Sequence, residues 1–343
     1  MKTDFIDIRT DEKRALSEAK RLILSGEVVG IPTETVYGLA ANALDSEAVK
    51  KIFVAKGRPQ DNPLIVHISE FSQLSALVEE IPEKVSLMAK KFWPGPLTMI
   101  MKKSQVIPDA VSGGLDTVAV RMPKSEYARA IITGCGVPLA APSANLSGSP
   151  SPTRAKYVLD DMDGRIPLII DGGVCEVGVE STVISFVGEK PRLLRPGGIT
   201  LEQIEKTIGE IDVDNAVLNR LEEGQTASSP GMKYKHYAPK ADITVVKGSL
   251  EDFCEFVSRK GECFVLCFDG EEKYFSNALS YGRIDDGQSQ AKRLFDALRE
   301  LDEMGAEKVY ARCPDLKGMG LAVYNRLIRS AGFDIVEVCN DKK

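Results

Sequence analysis

Lys56 and Arg58 flank a glycine, with Pro59 fixing the exit of the chain and Asn62 adding an amide just beyond. Two cations at that spacing suit an anionic ligand, and an arginine's planar fork matches phosphate oxygens. The plain alternative is a pair of cations at a helix C-terminus, where the helix dipole favours positive charge. Upstream, Thr33, Thr35 and Tyr37 stand where a short apolar run stops at Pro32. Open α/β sheets place ligands at strand ends, although turn chemistry alone also accounts for these residues. His67 sits in the apolar run 64–68, where a lone histidine is either a satisfied core residue or a ligand. The stretch 142–152 is rich in Pro, Ser and Asn and carries Ser143, Asn145, Ser147 and Ser151. It has no helical or strand periodicity; loops of this length in compact domains are usually functional or disordered, and the composition is also that of any turn. Arg195 leaves an apolar strand just before Gly197 and Gly198, as a second phosphate contact or a solvated edge residue. Together these residues describe a small-molecule site for a phosphorylated ligand, with 30–67 as its floor. No Walker A sequence is present, so the phosphates need another cradle.

The elements that must hold these residues follow from pattern. Thr10 and the acids after it open a helix with Ala15, Leu16, Ala19, Leu22 and Ile23 on its buried face, closed by Gly26. A strand over 28–31 follows, then a helix from Ser46 to near Gly57 and a strand over 64–68. Two short helices come next, the second opened by Pro82, and Trp93-Pro94-Gly95-Pro96 turns the chain into a strand over 97–101. Strands are expected over 117–121, 137–141, 166–170, 182–186 and 192–194, with helices over 124–133 and 200–208. Strands and helices are mixed rather than strictly alternating, which predicts an α/β domain with a twisted mixed sheet. From Asp242 the pattern alternates regularly: strands over 243–246, 263–268, 308–311 and 334–338, helices over 250–257, 290–301 and 321–329. That order predicts a second, smaller, Rossmann-like domain with a parallel sheet. Its Gly318 and Gly320 do not make a dinucleotide fingerprint. Between the two lie an acidic stretch and then 228–240, with three lysines, two tyrosines and no acids. This basic segment is either a linker or a lid over a nucleotide.

A chain of 343 residues suits two domains, and its 43% apolar and 27% charged residues are those of a globular protein. The net charge of −6 gives no general field for nucleic acid or anionic membrane. Residues 1–21 have no apolar core of a signal peptide, nothing later has the apolar length of a membrane span, and the seven scattered cysteines fit reduced thiols, so a cytoplasmic location is expected. With two histidines in the chain, neither a Ser-His-Asp hydrolase nor a His-rich metal site has support.

These segments together resemble the threonylcarbamoyl-AMP synthase family in its long form, a YrdC-like domain followed by a C-terminal domain. The resemblance rests on 32–39 (Pro-Thr-Glu-Thr-Val-Tyr-Gly-Leu), Lys56-Gly57-Arg58-Pro59 with Asn62-Pro63-Leu64, 93–98 (Trp-Pro-Gly-Pro-Leu-Thr), 142–148 (Pro-Ser-Ala-Asn-Leu-Ser-Gly) and the linker 229–239. The order of these motifs is more specific than any one of them. The resemblance implies a YrdC-like catalytic domain over 10–208, a linker and lid over 209–240 and a Rossmann-like domain over 241–343. It implies a nucleotidyltransferase that joins L-threonine, bicarbonate and ATP into threonylcarbamoyl-AMP, releasing pyrophosphate and water, as the first step of threonylcarbamoyladenosine formation beside the tRNA anticodon. Thr35, His67, Arg121, Ala141 and Ser181 would hold threonine. Arg58, Asn62, Thr117, Ser143, Ser151, Arg195 and Tyr234 would hold ATP, with Lys56 and Asn145 supporting the phosphates and Lys56 and Arg58 acting in catalysis. Mg²⁺ would come with ATP, without a protein metal site or an organic cofactor. The product would pass to the tRNA threonylcarbamoyl-transferase machinery, with at most a weak tRNA contact and no membrane partner. The rival expectation is a double-stranded RNA or tRNA-binding module, supported by Lys233, Lys235 and Lys240 and opposed by the net charge. A related carbamoyl-adenylate enzyme of hydrogenase maturation would carry acylphosphatase and zinc-finger regions, which this sequence lacks.

Overall fold

The computed structural model describes residues 2–219 and 237–338, which fall into two compact units. The described part of the first covers 2–147 and 151–217; that of the second covers 148–150, 218–219 and 237–338. Strands of the first unit are β1 (Asp4–Asp7), β2 (Val29–Ile31), β3 (Gly38–Asn42), β4 (Ile65–His67), β5 (Leu97–Lys102), β6 (Thr117–Arg121), β7 (Leu139–Ala140), β8 (Leu168–Asp171), β9 (Thr182–Ser185), β10 (Arg192–Arg195) and β11 (Asp212–Val213). Its helices are α1 (Glu12–Leu24), α2 (Ser46–Lys56), α3 (Leu74–Leu77), α4 (Glu83–Phe92), α5 (Asp109–Ser112), α6 (Glu126–Cys135), α7 (Ala155–Met162) and α8 (Leu201–Ile208).

The strands form one sheet in the order β1-β8-β2-β3-β7-β4-β6-β5-β9-β10-β11. Parallel pairs such as β4–β6 and β5–β9 alternate with antiparallel pairs such as β5–β6 and β9–β10, so the sheet is mixed. Sheet strands lie outside the span 10–208 at both ends, as β1 and β11. The short β1 keeps only Ile6 buried among acids, too weak a pattern to read as a strand from sequence.

Local chemistry sets the helix bounds. Asp11, rather than the expected Thr10, caps α1 by accepting from the Arg14 N–H. The helix buries Ala15, Ala19, Leu22 and Ile23, and burial of a Leu or Ile side chain contributes roughly 1.5–3 kcal/mol. The Asp45 carboxylate caps α2 by accepting from the N–H groups of Glu47 and Ala48. Gly57 ends α2 in the left-handed region at φ 61°, which releases the chain towards Arg58 without a Cβ penalty.

The second unit holds β12 (Asp242–Lys247), β13 (Phe264–Cys267), β14 (Ala278–Ser280), β15 (Lys308–Arg312) and β16 (Ile335–Glu337), with helices α9 (Leu250–Ser258), α10 (Gly287–Glu303) and α11 (Met319–Ser330). Every strand pair among its described residues is parallel, in the order β14-β13-β15-β12-β16. The parallel reading of the alternating pattern therefore holds, with β14 as an added edge strand.

Candidate active site on the mixed sheet

Register organises the site. His67, Arg121, Thr98, Val183 and Arg195 stand opposite one another on β4, β6, β5, β9 and β10. Directly opposed residues share a face, so one row carries an imidazole, two guanidiniums and a hydroxyl. Four strand spacings of about 4.8 Å give the row a length of roughly 19 Å. Val183 of the row also belongs to an apolar patch with Ile65, Ile100, Ala119 and Leu194, completed by Ala216. Thr117, two residues before Ala119 and on the same face, borders a cavity of about 580 Å³ together with Ile100, Leu115, Ser185, Arg192 and Leu194.

Ser181, just before β9, joins the row through its hydroxyl. Its Oγ lies 2.7 Å from Thr98 Oγ1 and accepts from Arg195 Nη2 at 3.2 Å, while Arg195 Nε donates to the Ser181 carbonyl at 3.1 Å. Gly197 makes this approach possible: a Cβ there would lie 2.3 Å from the Thr182 nitrogen and 2.5 Å from the Glu180 oxygen. Ser151 is fully buried and donates to the Glu180 carboxylate, which ties the polar loop to the segment before Ser181.

His67 is 3% exposed, with Nδ1 3.2 Å from the Ile65 carbonyl. Burial, and then the Arg121 charge beside it, pull its pKa down to about 3, so the imidazole is neutral at physiological pH.

The loop after β7 is held against the segments 37–39 and 56. The Leu39 N–H donates to Pro142 O at 2.8 Å, the Ala144 N–H to Tyr37 O at 2.8 Å and the Ser147 N–H to Lys56 O at 2.9 Å. The Lys56 ammonium, 2% exposed, donates to the carbonyls of Ser143 and Asn145. The sequence reads Lys56 as a phosphate contact; here its ammonium also fixes the loop that carries Ser143 and Asn145. The Arg58 Nη2 donates to the carbonyls of Asn62 (3.4 Å) and Pro63 (3.2 Å), and the buried Asn62 Oδ1 has no hydrogen-bond partner among the described residues. Ala141 reaches β4 two residues before His67, through its N–H, which donates to Ile65 O at 3.0 Å. Thr35 is buried, with its hydroxyl 2.9 Å from that of Thr33.

The row thus unites His67, Arg121, Ser181 and Arg195, with Thr117 further along the same face. Lys56, Ser143 and Asn145 form a second group. Tyr234 and the segment 229–236 lie outside the described residues. Sequence reasoning gave no role to Thr98 or Glu34. Thr98 was legible as the polar residue between Leu97 and Met99, a hydroxyl on a strand buried on both faces. Among the described residues no group of three or more His, Cys, Asp or Glu could hold a metal ion. No helix of the described residues is long and apolar enough to cross a membrane.

Residues 21–197 match the family model described as telomere recombination, and residues 199–332 match that of the threonylcarbamoyl-AMP synthase C-terminal domain. Threonylcarbamoyl-AMP synthase of Pyrococcus abyssi is 50% identical over 329 residues, spanning 93% of this chain and 95% of that protein. The Bacillus subtilis enzyme of the same name is 46% identical over 343 residues, spanning 97% and 98%. The crystal structure of P. abyssi Sua5 complexed with L-threonine superposes with a TM-score of 0.91 at 46% identity, covering 98% of this chain and all of that one.

Proposed function

The chain belongs to the threonylcarbamoyl-AMP synthase family, and from that premise we propose how its site carries out the family's reaction. L-Threonine, bicarbonate and ATP give threonylcarbamoyl-AMP, pyrophosphate and water. The threonine amine adds to the bicarbonate carbon and water leaves, which forms a carbamate. A carbamate oxygen then attacks the α-phosphorus and pyrophosphate departs with the bonding electron pair.

The observation that carries the assignment of residues is the row from His67 to Arg195. Its length matches an amino acid joined to a nucleotide, and its two arginines match the two anions that must meet, a carboxylate and a phosphate. Arg121 with His67, Ser181, Thr35 and Ala141 would take threonine. A neutral His67 can hydrogen-bond to the amino acid without repelling its ammonium group. Arg195, Arg58, Asn62, Ser143, Asn145 and Ser151 would take the phosphates and ribose. The cavity beside Thr117 has the size and apolar floor for the base. Tyr234 keeps its assignment to ATP from the motif alone.

Phosphoryl-transfer chemistry of this kind needs positioning and charge neutralisation more than a strong base, which suits a site of Arg, Lys and amides. Mg²⁺ would arrive with ATP as part of the substrate, held mainly by phosphates and water. The product is a labile mixed anhydride, so a tRNA-modifying transferase must consume it promptly. Pyrophosphate release should require threonine, bicarbonate and ATP together. Release at the same rate without threonine would refute the assignment.

A further inference from the structure

Glu34 lies within the motif at 32–39, yet the chemistry above gives it no task. It is 5% exposed and faces Arg121, itself 4% exposed. Arg121 Nη2 donates to Glu34 Oε1 at 2.7 Å, and the Ser125 N–H donates to Oε2 at 3.3 Å. Burial pushes the Glu34 carboxyl up, but the Arg121 guanidinium and the Lys124 N–H outweigh it and hold the group below the usual carboxylate range. Glu34 is therefore an anion, anchored on one side by the backbone that opens α6 and on the other by Arg121.

The guanidinium it holds is only partly used. Arg121 Nε is buried and has no hydrogen-bond partner among the described residues. A buried N–H without a partner is costly, and at a ligand site the ligand is the natural acceptor. An arginine side chain has several soft torsions, so its fork serves a carboxylate well only if something fixes its plane. Glu34 grips Nη2 and leaves the Nε–H open.

We propose that Glu34 is a positioning residue that aims the open edge of Arg121 at the carboxylate of the amino-acid substrate. The inference rests on the reading that Arg121 receives that carboxylate. It differs from a purely structural role in which Glu34 only staples the segment 33–37 to α6. A staple would affect both substrates alike; an aiming device affects threonine.

The test is steady-state pyrophosphate release by the full-length enzyme, with KM for L-threonine and for ATP determined separately and thermal melting as a fold control. Glu34→Asp keeps the charge but withdraws the acceptor, and should raise the KM for threonine roughly tenfold while the KM for ATP stays within about twofold. Glu34→Gln keeps one acceptor oxygen, which the charged Arg121 takes in preference to the Ser125 N–H, and should lie close to wild type. A parallel rise in both KM values, or an unchanged threonine KM in Glu34→Asp, overturns the proposal. Arg121→Ala separates the two levels of argument. If it leaves the threonine KM unchanged, the reading of Arg121 itself has failed. If it raises that KM while Glu34→Asp does not, only the role of Glu34 has failed.

Discussion

Two buried Arg–Glu pairs, one in each unit, put the same two side chains to different use. In the second unit Arg312 donates to both oxygens of Glu271, from Nε and Nη2 at 3.2 Å each, and from Nη1 to the Gly248 carbonyl at 2.8 Å. Its guanidinium also lies 5.5 Å from the ring centres of Phe253 and Phe268. All three nitrogens of that cation donate within the second unit, so the pair clasps the strand ends. Arg121 meets Glu34 through a single nitrogen and keeps a buried Nε without a partner among the described residues. The assignment proposed above makes the fully engaged pair structural and the partly engaged one the receiver of substrate, although burial is nearly the same: 4% exposure for Arg121 and 5% for Arg312.

The largest effect should separate the pairs outright. Arg121→Ala should lower threonine-dependent kcat/KM roughly a hundredfold, by loss of a charged hydrogen bond made to substrate. Arg312→Ala should leave the threonine KM unchanged but cost about 3–5 kcal/mol in denaturant unfolding, because Glu271 is left buried and unpaired. Wild-type kinetics in the first variant, or a threonine-specific defect in the second, breaks the distinction.

A Cβ at Gly197 would sharpen it from the other end of the row. Gly197→Ala forces the segment 180–182 away from the loop after Arg195, and overpacking of this sort costs roughly 1–3 kcal/mol. It should lower stability and activity together, since Ser181 and Arg195 lose their register; a fully active, equally stable protein would show that the close approach is dispensable. Gly57→Ala meets no neighbour within 4 Å but keeps φ 61°, so only backbone strain of about 1–2 kcal/mol is expected, read from the unfolding midpoint.

His67 supplies a pH test on the same row. Its pKa falls from 6.5 in the unfolded chain to about 3 in the folded one, so below pH 6.5 the unfolded chain binds the extra proton. Its contribution to stability is thus complete above pH 6.5 and declines as pH drops, by at most about 1.4 kcal/mol per unit. His67→Gln should flatten the stability curve between pH 6.5 and 4 relative to wild type; superposable slopes would contradict a buried neutral imidazole.

Much of this architecture could be read locally. Caps at Asp45 and Gly57, and the run of Thr117 to Arg121, carry their own signals, and the structure puts α2 and β6 there. The strand β3 could not be read this way, because Gly38, Ala40 and Ala41 have weak strand propensity and are held by neighbours on both sides. Helix α7 follows the polar loop with no side-chain cap to announce it. The row itself depends on the register of five strands distant in sequence, which no local pattern encodes. His67 was therefore ambiguous between core and ligand by its own context, and Lys56 read as a phosphate contact although its ammonium also holds two loop carbonyls.

The central claim is that this site joins threonine, the bicarbonate carbon and AMP in one carbamoyl adenylate. Turnover with ¹³C-bicarbonate, threonine and ATP, followed by mass spectrometry of the quenched mixture, tests it most directly. The account predicts an adenylate that contains threonine and carries the ¹³C label. An unlabelled threonyl-adenylate, or AMP formed independently of bicarbonate, would contradict it.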